Sequence, residues 1–262
     1  PLLARIHLID PQNVEADLNV ALMQGQTEGN THVKILTEAV ARTNRNPKVM
    51  LRIASNLRAA LARRMNLDDD DSEEVNKEKA IKHLTGAPEV PLFVEALRIA
   101  AKADEPLNNG QVRMAWWLQF TGPPADTLWG DVYNYKNTHW KGANAALKEG
   151  NWEECLKHAY RVRWLMSGDE MERVMYCVVK SQWKLGRLRR ALSEAEIGIS
   201  WFPNKHTFHY LFAVVALELN DRLEEAYERA KLAVELDPTN QGCKDTAEKI
   251  ARKTWNLTNR TN

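Results

Sequence analysis

The chain has 262 residues, and its 36 Lys and Arg against 35 Asp and Glu leave a dense but nearly cancelling set of charges, +1 in all. That balance removes the electrostatic basis for a dedicated nucleic-acid binder, and no window holds the roughly 18 consecutive apolar residues that a membrane span needs. Three widely spaced cysteines without a CxxC pair (Cys155, Cys177, Cys243) argue against a disulfide framework or zinc site and for an intracellular, cytoplasmic chain. There is no initiator Met, basic n-region or apolar h-region, so a processed start or the cut end of a longer polypeptide is expected.

In chain order, Leu8-Ile9-Asp10-Pro11 reads as the end of a helix. A helical stretch follows near 14–24, then a turn from Gly25 to Asn30 and a second helix over about 31–43, stopped before Pro47. Pro11 and Pro47 stand 36 apart (47 minus 11). An amphipathic helix over 48–66 carries the stripe Val49, Ile53, Leu57, Ala60 and Leu61. The acid run Asp68-Asp69-Asp70-Asp71-Ser72-Glu73-Glu74 lacks the central Gly of an EF-hand loop and reads as a solvated turn. Asp71 with Glu74 is the expected cap of a helix reaching about Thr85. Gly86-Ala87-Pro88 ends that helix, helices over Pro91–Ala103 and Val112–Phe120 follow, and Thr121-Gly122-Pro123-Pro124 is the strongest break. The expected organisation is 1–66 as degenerate repeat-like helices continuing from an upstream segment, 67–124 as an acidic turn and irregular helical linker, and 125–262 as three repeats with a C-terminal capping helix.

Beyond the break the chain repeats itself. Gly150-Asn151-Trp152-Glu153-Glu154-Cys155, Gly186-Arg187-Leu188-Arg189-Arg190-Ala191 and Asp221-Arg222-Leu223-Glu224-Glu225-Ala226 align at spacings of 36 (186 minus 150) and 35 (221 minus 186). Small residues follow in the same register: Cys155, Ala191, Ala226; Ala159, Ala195, Ala230; Val162, Gly198, Ala233. Pro203 and Pro238 then stop each unit, again 35 apart (238 minus 203). Asn151 with Glu154, Asp169 with Glu172, and Asp221 with Glu224 supply expected helix caps. Small residues at fixed offsets let helix backbones approach, as a stack of helical hairpins requires.

On these residues, 136–240 resembles the tetratricopeptide repeat family, most closely over Leu223 to Pro238. No strand-like alternation of useful length is present, so the fold class is all-α, with about thirteen helices. The resemblance implies a right-handed α-solenoid with a degenerate N-terminal half and a concave groove lined by the first helix of each repeat. The groove positions fall on Asn137, Trp140, Asn144, Leu147 and Lys148, then on Arg173, Tyr176, Lys180, Trp183 and Lys184, and then on Phe208, Leu211, Val215, Glu218 and Leu219. Cations and amides beside aromatics fit a peptide with acidic groups and aromatic or aliphatic anchors. Trp140 and Trp183 also fit a packing role. The apolar set at Phe208, Leu211 and Val215 suits burial better still, under a helix at about Gln241–Trp255 or a neighbouring chain.

A subclass of the family captures chaperone C-terminal carboxylates with a Lys and Asn, an Asn, and a Lys and Arg on three first helices. Asn144 matches, but Trp140, Cys177, Phe208 and Phe212 do not, so that activity is rejected. Seven of nine tryptophans lie in 116–183. Filling an irregular junction explains them better than stacking on sugars or bases, because Trp116 and Trp117 are adjacent and cannot point the same way on a helix. The basic stretch from Lys157 to Arg190 makes RNA a minor alternative. His206 and His209 share a helical face without HExxH, which favours surface chemistry over a metal. No GxGxxG, GxxxxGKS/T or GxSxG occurs, Cys155 and Cys177 sit at buried repeat positions where a thiol is a poor nucleophile, and the sequons at Asn256 and Asn259 read as incidental.

The expectation is a non-enzymatic protein-protein interaction scaffold without cofactor, metal or catalytic residues. Its alternatives are the regulatory or substrate-holding arm of a larger enzyme, such as a glycosyltransferase, and an architectural subunit that self-associates through Phe208 and Leu211.

Overall fold

A computed structural model of the chain describes residues 19–21, 31–66, 72–163 and 165–258. The expectations for 1–18, for the turn at 22–30 and for Asp71 lie outside these residues. Twelve helices and a helical segment at 19–21 account for the described secondary structure, and no strand occurs among the described residues. The chain is all-α. It divides into two compact units, 1–137 and 138–262, and the division falls inside a helix. The Thr121–Pro124 break is a turn within the first unit, with Gly122 at φ +82 and a cis Pro123–Pro124 bond.

The first unit is arranged about one helix. α1 (Thr31–Arg42), α3 (Glu73–Leu84), α4 (Glu89–Lys102) and α5 (Asn109–Leu118) all pack on α2 (Pro47–Met65). The amphipathic stripe supplies the contact, since Ile53, Leu57 and Leu61 are completely buried, along with Met50, Ala54 and Met65. Val49 and Ala60, which the periodicity places on the stripe, lie at its half-buried margins. The Asn46 side chain caps α2 by accepting from the Lys48 amide, and Pro47 tolerates the first turn because its missing N–H has no partner there. α3 is capped by Ser72, whose hydroxyl accepts from the Val75 amide. α5 opens with a capping box of Asn108 and Gln111 that the apolar pattern did not reveal. Gln111 is fully buried, and its amide also donates to the Leu51 carbonyl and Ser55 hydroxyl of α2.

α6 (Leu128–Glu149) begins in the first unit, where Tyr135 donates to the Glu105 carbonyl and Asp131 pairs with Arg98 at 2.7 Å. The junction is filled as expected by rings. Trp116 meets Trp129 edge-on at 5.0 Å and Phe120 at 5.7 Å, while adjacent Trp117 turns into the core.

The second unit continues as α7 (Trp152–Val162), α8 (Gly168–Lys184), α9 (Leu188–Trp201), α10 (His206–Leu219), α11 (Leu223–Leu236) and α12 (Gln241–Thr258). From α7 onward each helix packs on the next, and α8, α10 and α12 also pack on one another in sequence. That is the contact pattern of stacked hairpins. The turns repeat at the level of single bonds. Asn151 N–H donates to the Ala146 carbonyl, Arg187 to Gln182 and Asp221 to Ala216, each spanning five residues. The next helices start equivalently, with Cys155, Ala191 and Ala226 N–H bonded to the carbonyls of Asn151, Arg187 and Arg222.

The small residues do what their spacing requires: Cys155, Ala159, Val162, Ala191, Ala195, Gly198, Ala226, Ala230 and Ala233 are all buried. Each expected stop follows its helix by two residues, Pro203 after Trp201 and Pro238 after Leu236.

Two of the three expected caps in this unit are corrected. Asn151 caps α7 by accepting from the Glu154 amide at 3.3 Å. α8 instead begins behind Ser167, so Asp169 lies within its first turn, where its charge meets the helix dipole. α11 is entered through Arg222, not Asp221. With no Gly in this turn, Asn220 (φ +55) and Arg222 (φ +52) take the left-handed conformations that Gly150 and Gly186 provide in the earlier turns. Arg222 is held there by Glu196 and Glu225, each at 2.6 Å.

Candidate functional site

The positions expected to line a groove in the first two repeats form one stripe on each of α6 and α8. On α6, Trp140 and Leu147 are half-buried against the local core, Asn144 donates to the Trp140 carbonyl of its own helix, and Lys148 is exposed. Asn137 is half-buried and ends the first unit. On α8, Tyr176 and Trp183 pack one side on the core and keep the other open, and Arg173 and Lys184 are exposed. Each tryptophan is thus a packing residue that still presents part of its surface.

The centre of the stripe is Lys180. Its Nζ donates to the Tyr176 hydroxyl at 2.6 Å and lies 5.0 Å from the Tyr176 ring and 6.0 Å from the Trp152 ring. One turn on, Lys184 Nζ sits 4.1 Å over Trp183. None of Lys148, Arg173, Lys180 and Lys184 has a carboxylate partner among the described residues. Elsewhere in the unit cations are largely neutralised. Lys157 pairs with Glu154, Arg163 with Glu194, Arg187 with Glu153, Lys205 with Glu172 and Arg222 with Glu196. Exposed Arg189 and Arg190 on α9, Lys141 on α6, and Lys244 and Lys249 on α12 are exceptions. The basic stretch from 157 to 190 therefore separates into a paired set and an unpaired set concentrated on the first-helix stripe.

Two residues join this face without having been selected from the sequence. Trp152 belongs to the tryptophans of 116–183, for which filling a junction is favoured over stacking on a ligand. Tyr210 aligns with core-facing Met175 (210 minus 175 is 35), so its register pointed inward. It packs half-buried on the same core cluster as Tyr176, and its hydroxyl pKa is pushed up chiefly by burial.

The third repeat is corrected. Phe208, Leu211 and Val215 are completely buried and offer a partner nothing, while Glu218 is exposed and Leu219 half-buried. Phe208 stacks on Phe202 at 5.7 Å and lies against Gly198, and Ile250 of α12 shares the same core. Burial, the stronger reading for this set, holds, and the C-terminal helix contributes to it.

The remaining clusters divide as follows. His206 reaches Asp237 at 3.6 Å, whereas buried His209 is bonded through Nε2 to the Pro203 carbonyl at 2.8 Å, so the two do not converge. No cluster of three His, Cys, Asp or Glu side chains fit for a metal occurs among the described residues. A histidine pair that the sequence did not suggest, His139 and His158, meets Nδ1 to Nδ1 at 2.8 Å, with the His158 ring on the Gly142 backbone. Cys155 and Cys177 are free and buried, as their repeat positions predict. No helix among the described residues is long and apolar enough to cross a membrane.

No protein-family model matches the chain, and no curated protein does. Among solved structures it is similar to the crystal structure of the P58(IPK) TPR domain, with 14% identity over 95% of this chain and 91% of that chain and a TM-score of 0.42. At this distance no ligand carries over.

Proposed function

We propose that the chain is a non-enzymatic protein-interaction scaffold of the tetratricopeptide type, which holds a peptide segment of a partner along the first-helix stripe of its second unit. The observation behind this reading is the row of four cations without carboxylates, set beside partly open Trp and Tyr rings. A cation pinned on an aromatic surface loses little freedom when an acid arrives, and the adjoining ring supplies an apolar contact at the same point. The partner is an extended or helical segment carrying acidic groups beside aromatic or aliphatic anchors. Trp140, Asn144, Lys148, Arg173, Tyr176, Lys180, Trp183 and Lys184 are the proposed contacts. The buried Phe208 and Leu211 remove the apolar surface that self-association would have used.

The test is fluorescence anisotropy with short labelled peptides that alternate Glu with Leu or Phe, alongside Lys-for-Glu controls and a single-stranded RNA. The acidic peptides should bind, the controls should not, and affinity should fall as salt rises. Lys180→Glu should weaken binding at least about tenfold, or roughly 1.4 kcal/mol, with circular dichroism unchanged. Equal binding by Lys180→Glu, or preference for the RNA, rejects the reading.

A further inference from the structure

The second unit also carries a row opposite in charge to the stripe. α11 turns Glu224, Glu228 and Glu235 to solvent at offsets of 4 (228 minus 224) and 7 (235 minus 228), with half-buried Leu232 between the last two and exposed Leu236 beyond them. Such offsets keep side chains on one face of a helix. These acids, with Glu225 and Leu232, border an open hollow of about 560 Å³ along that face. Arg229 and Lys231 also line it, so four acids stand against two cations and the face is acidic. Lys231 reaches Glu228 at 3.1 Å and Arg229 reaches Glu225 at 3.5 Å, surface pairs along one helix that contribute little and exchange readily for another partner. On α8 the cations Arg173, Lys180 and Lys184 stand 7 (180 minus 173) and 4 (184 minus 180) apart, with Tyr176 between the first two. The two rows therefore share one spacing, read in opposite chain directions.

We propose that the segment held by the stripe is α11 of a second copy of this chain, laid antiparallel along α8. In that register Arg173 falls opposite Glu235, Lys180 opposite Glu228 and Lys184 opposite Glu224, at steps of about 10.5 and 6 Å along both helix axes. Tyr176 falls opposite Leu232, which sets an apolar contact between two ion pairs. Antiparallel helix dipoles favour the same direction. Within one chain α10 packs against both α8 and α11, so the two rows meet between copies and not within one. The proposal rests on the stripe as the binding surface and names its partner; the contact uses neither Phe208 nor Leu211. Because the two faces differ, each copy offers one of each and assembly runs head to tail. A single helix pair held largely by exposed charges gives a weak, salt-sensitive contact.

The experiment is sedimentation velocity on the full chain. At low salt the average mass should rise between roughly 1 and 300 µM and return to the monomer as salt is added. Lys180→Glu and Glu228→Lys should each weaken this self-association at least about tenfold, with circular dichroism reporting that each variant folds. An equimolar mixture of the two, and the double variant carrying both, should associate again, because each brings a cation back opposite an acid. The concentration series on the native chain decides by itself if the variants do not fold. A mass that stays monomeric throughout, association indifferent to Glu228→Lys, or single variants that neither mixing nor combination restores would each overturn the proposal. Acidic peptides that still bind through Lys180 while the chain stays monomeric would leave the stripe standing and remove only the second copy as its partner. Loss of both would remove both.

Discussion

Gly198 shows how tightly single residues set this packing. A Cβ built there would lie 2.3 Å from Cδ1 of Phe208, a ring with no exposure and no room to withdraw. Gly198→Ala should therefore destabilise the chain by about 1–3 kcal/mol through overpacking, despite the better helix propensity of Ala. Gly130, also helical, has nothing within 4 Å of the equivalent position, so Gly130→Ala should stabilise by about 0.5–1 kcal/mol. Urea unfolding midpoints of the two variants should move in opposite directions. His209 makes a pH-dependent contribution. Burial, helped by the nearby Arg229 charge, holds its pKa below the ordinary 6.5 against the opposing pull of the Nε2–H bond to the Pro203 carbonyl, and the buried Nδ1 has no hydrogen-bond partner among the described residues. Above pH 6.5 the ring is neutral in folded and unfolded chains alike. As pH falls below that value the unfolded chain gains a proton that the folded chain refuses, so stability drops until the folded pKa is passed. His209→Gln, which keeps a donor for Pro203, should show a flatter stability profile between about pH 5 and 7 than the native chain.

At the scale of helices, the second unit depends on its last one. α12 contributes Ile250 to the core around Phe208 and donates from Lys253 to the Leu217 carbonyl near the end of α10. Terminal repeats in such stacks need a cap because each hairpin buries only one side against a neighbour. Ile250→Ala should cost about 2–5 kcal/mol. Removing α12 from Gln241 onward should expose the Phe208 cluster, seen as a lowered melting temperature and increased binding of an environment-sensitive dye. An unchanged melting temperature would show that α10 and α11 close the core alone. Element boundaries were legible to within a few residues wherever Gly or Pro punctuates the chain. Entry residues were less so: Ser72, Ser167 and Arg222 stand where neighbouring acids read equally well, since a cap depends on the angle at which the chain enters as much as on the side chain.

For the whole molecule, residue order alone established an all-α chain, the 35–36-residue period and the nine small contact positions. These are local and repetitive facts, written into the chain at offsets that packing of like on like must reuse. It did not establish that α2 is the centre of the first unit, because packing by four other helices on a single stripe is a non-local outcome that no period records. It did not establish which of the two cations Lys180 and Arg187 would be paired either. Both read as members of one basic stretch, and only the folded chain brings Glu153 to Arg187 while leaving Lys180 beside Tyr176 and Trp152. Phe208, Leu211 and Val215 occupy the register of groove positions yet lie inside, as their apolar character suggests, with Phe208 against Gly198 and Ile250 of α12 in the same core. Period specifies which helices meet. Which side chains remain open to a partner is decided by what else the chain folds against them, and that information exists only in three dimensions.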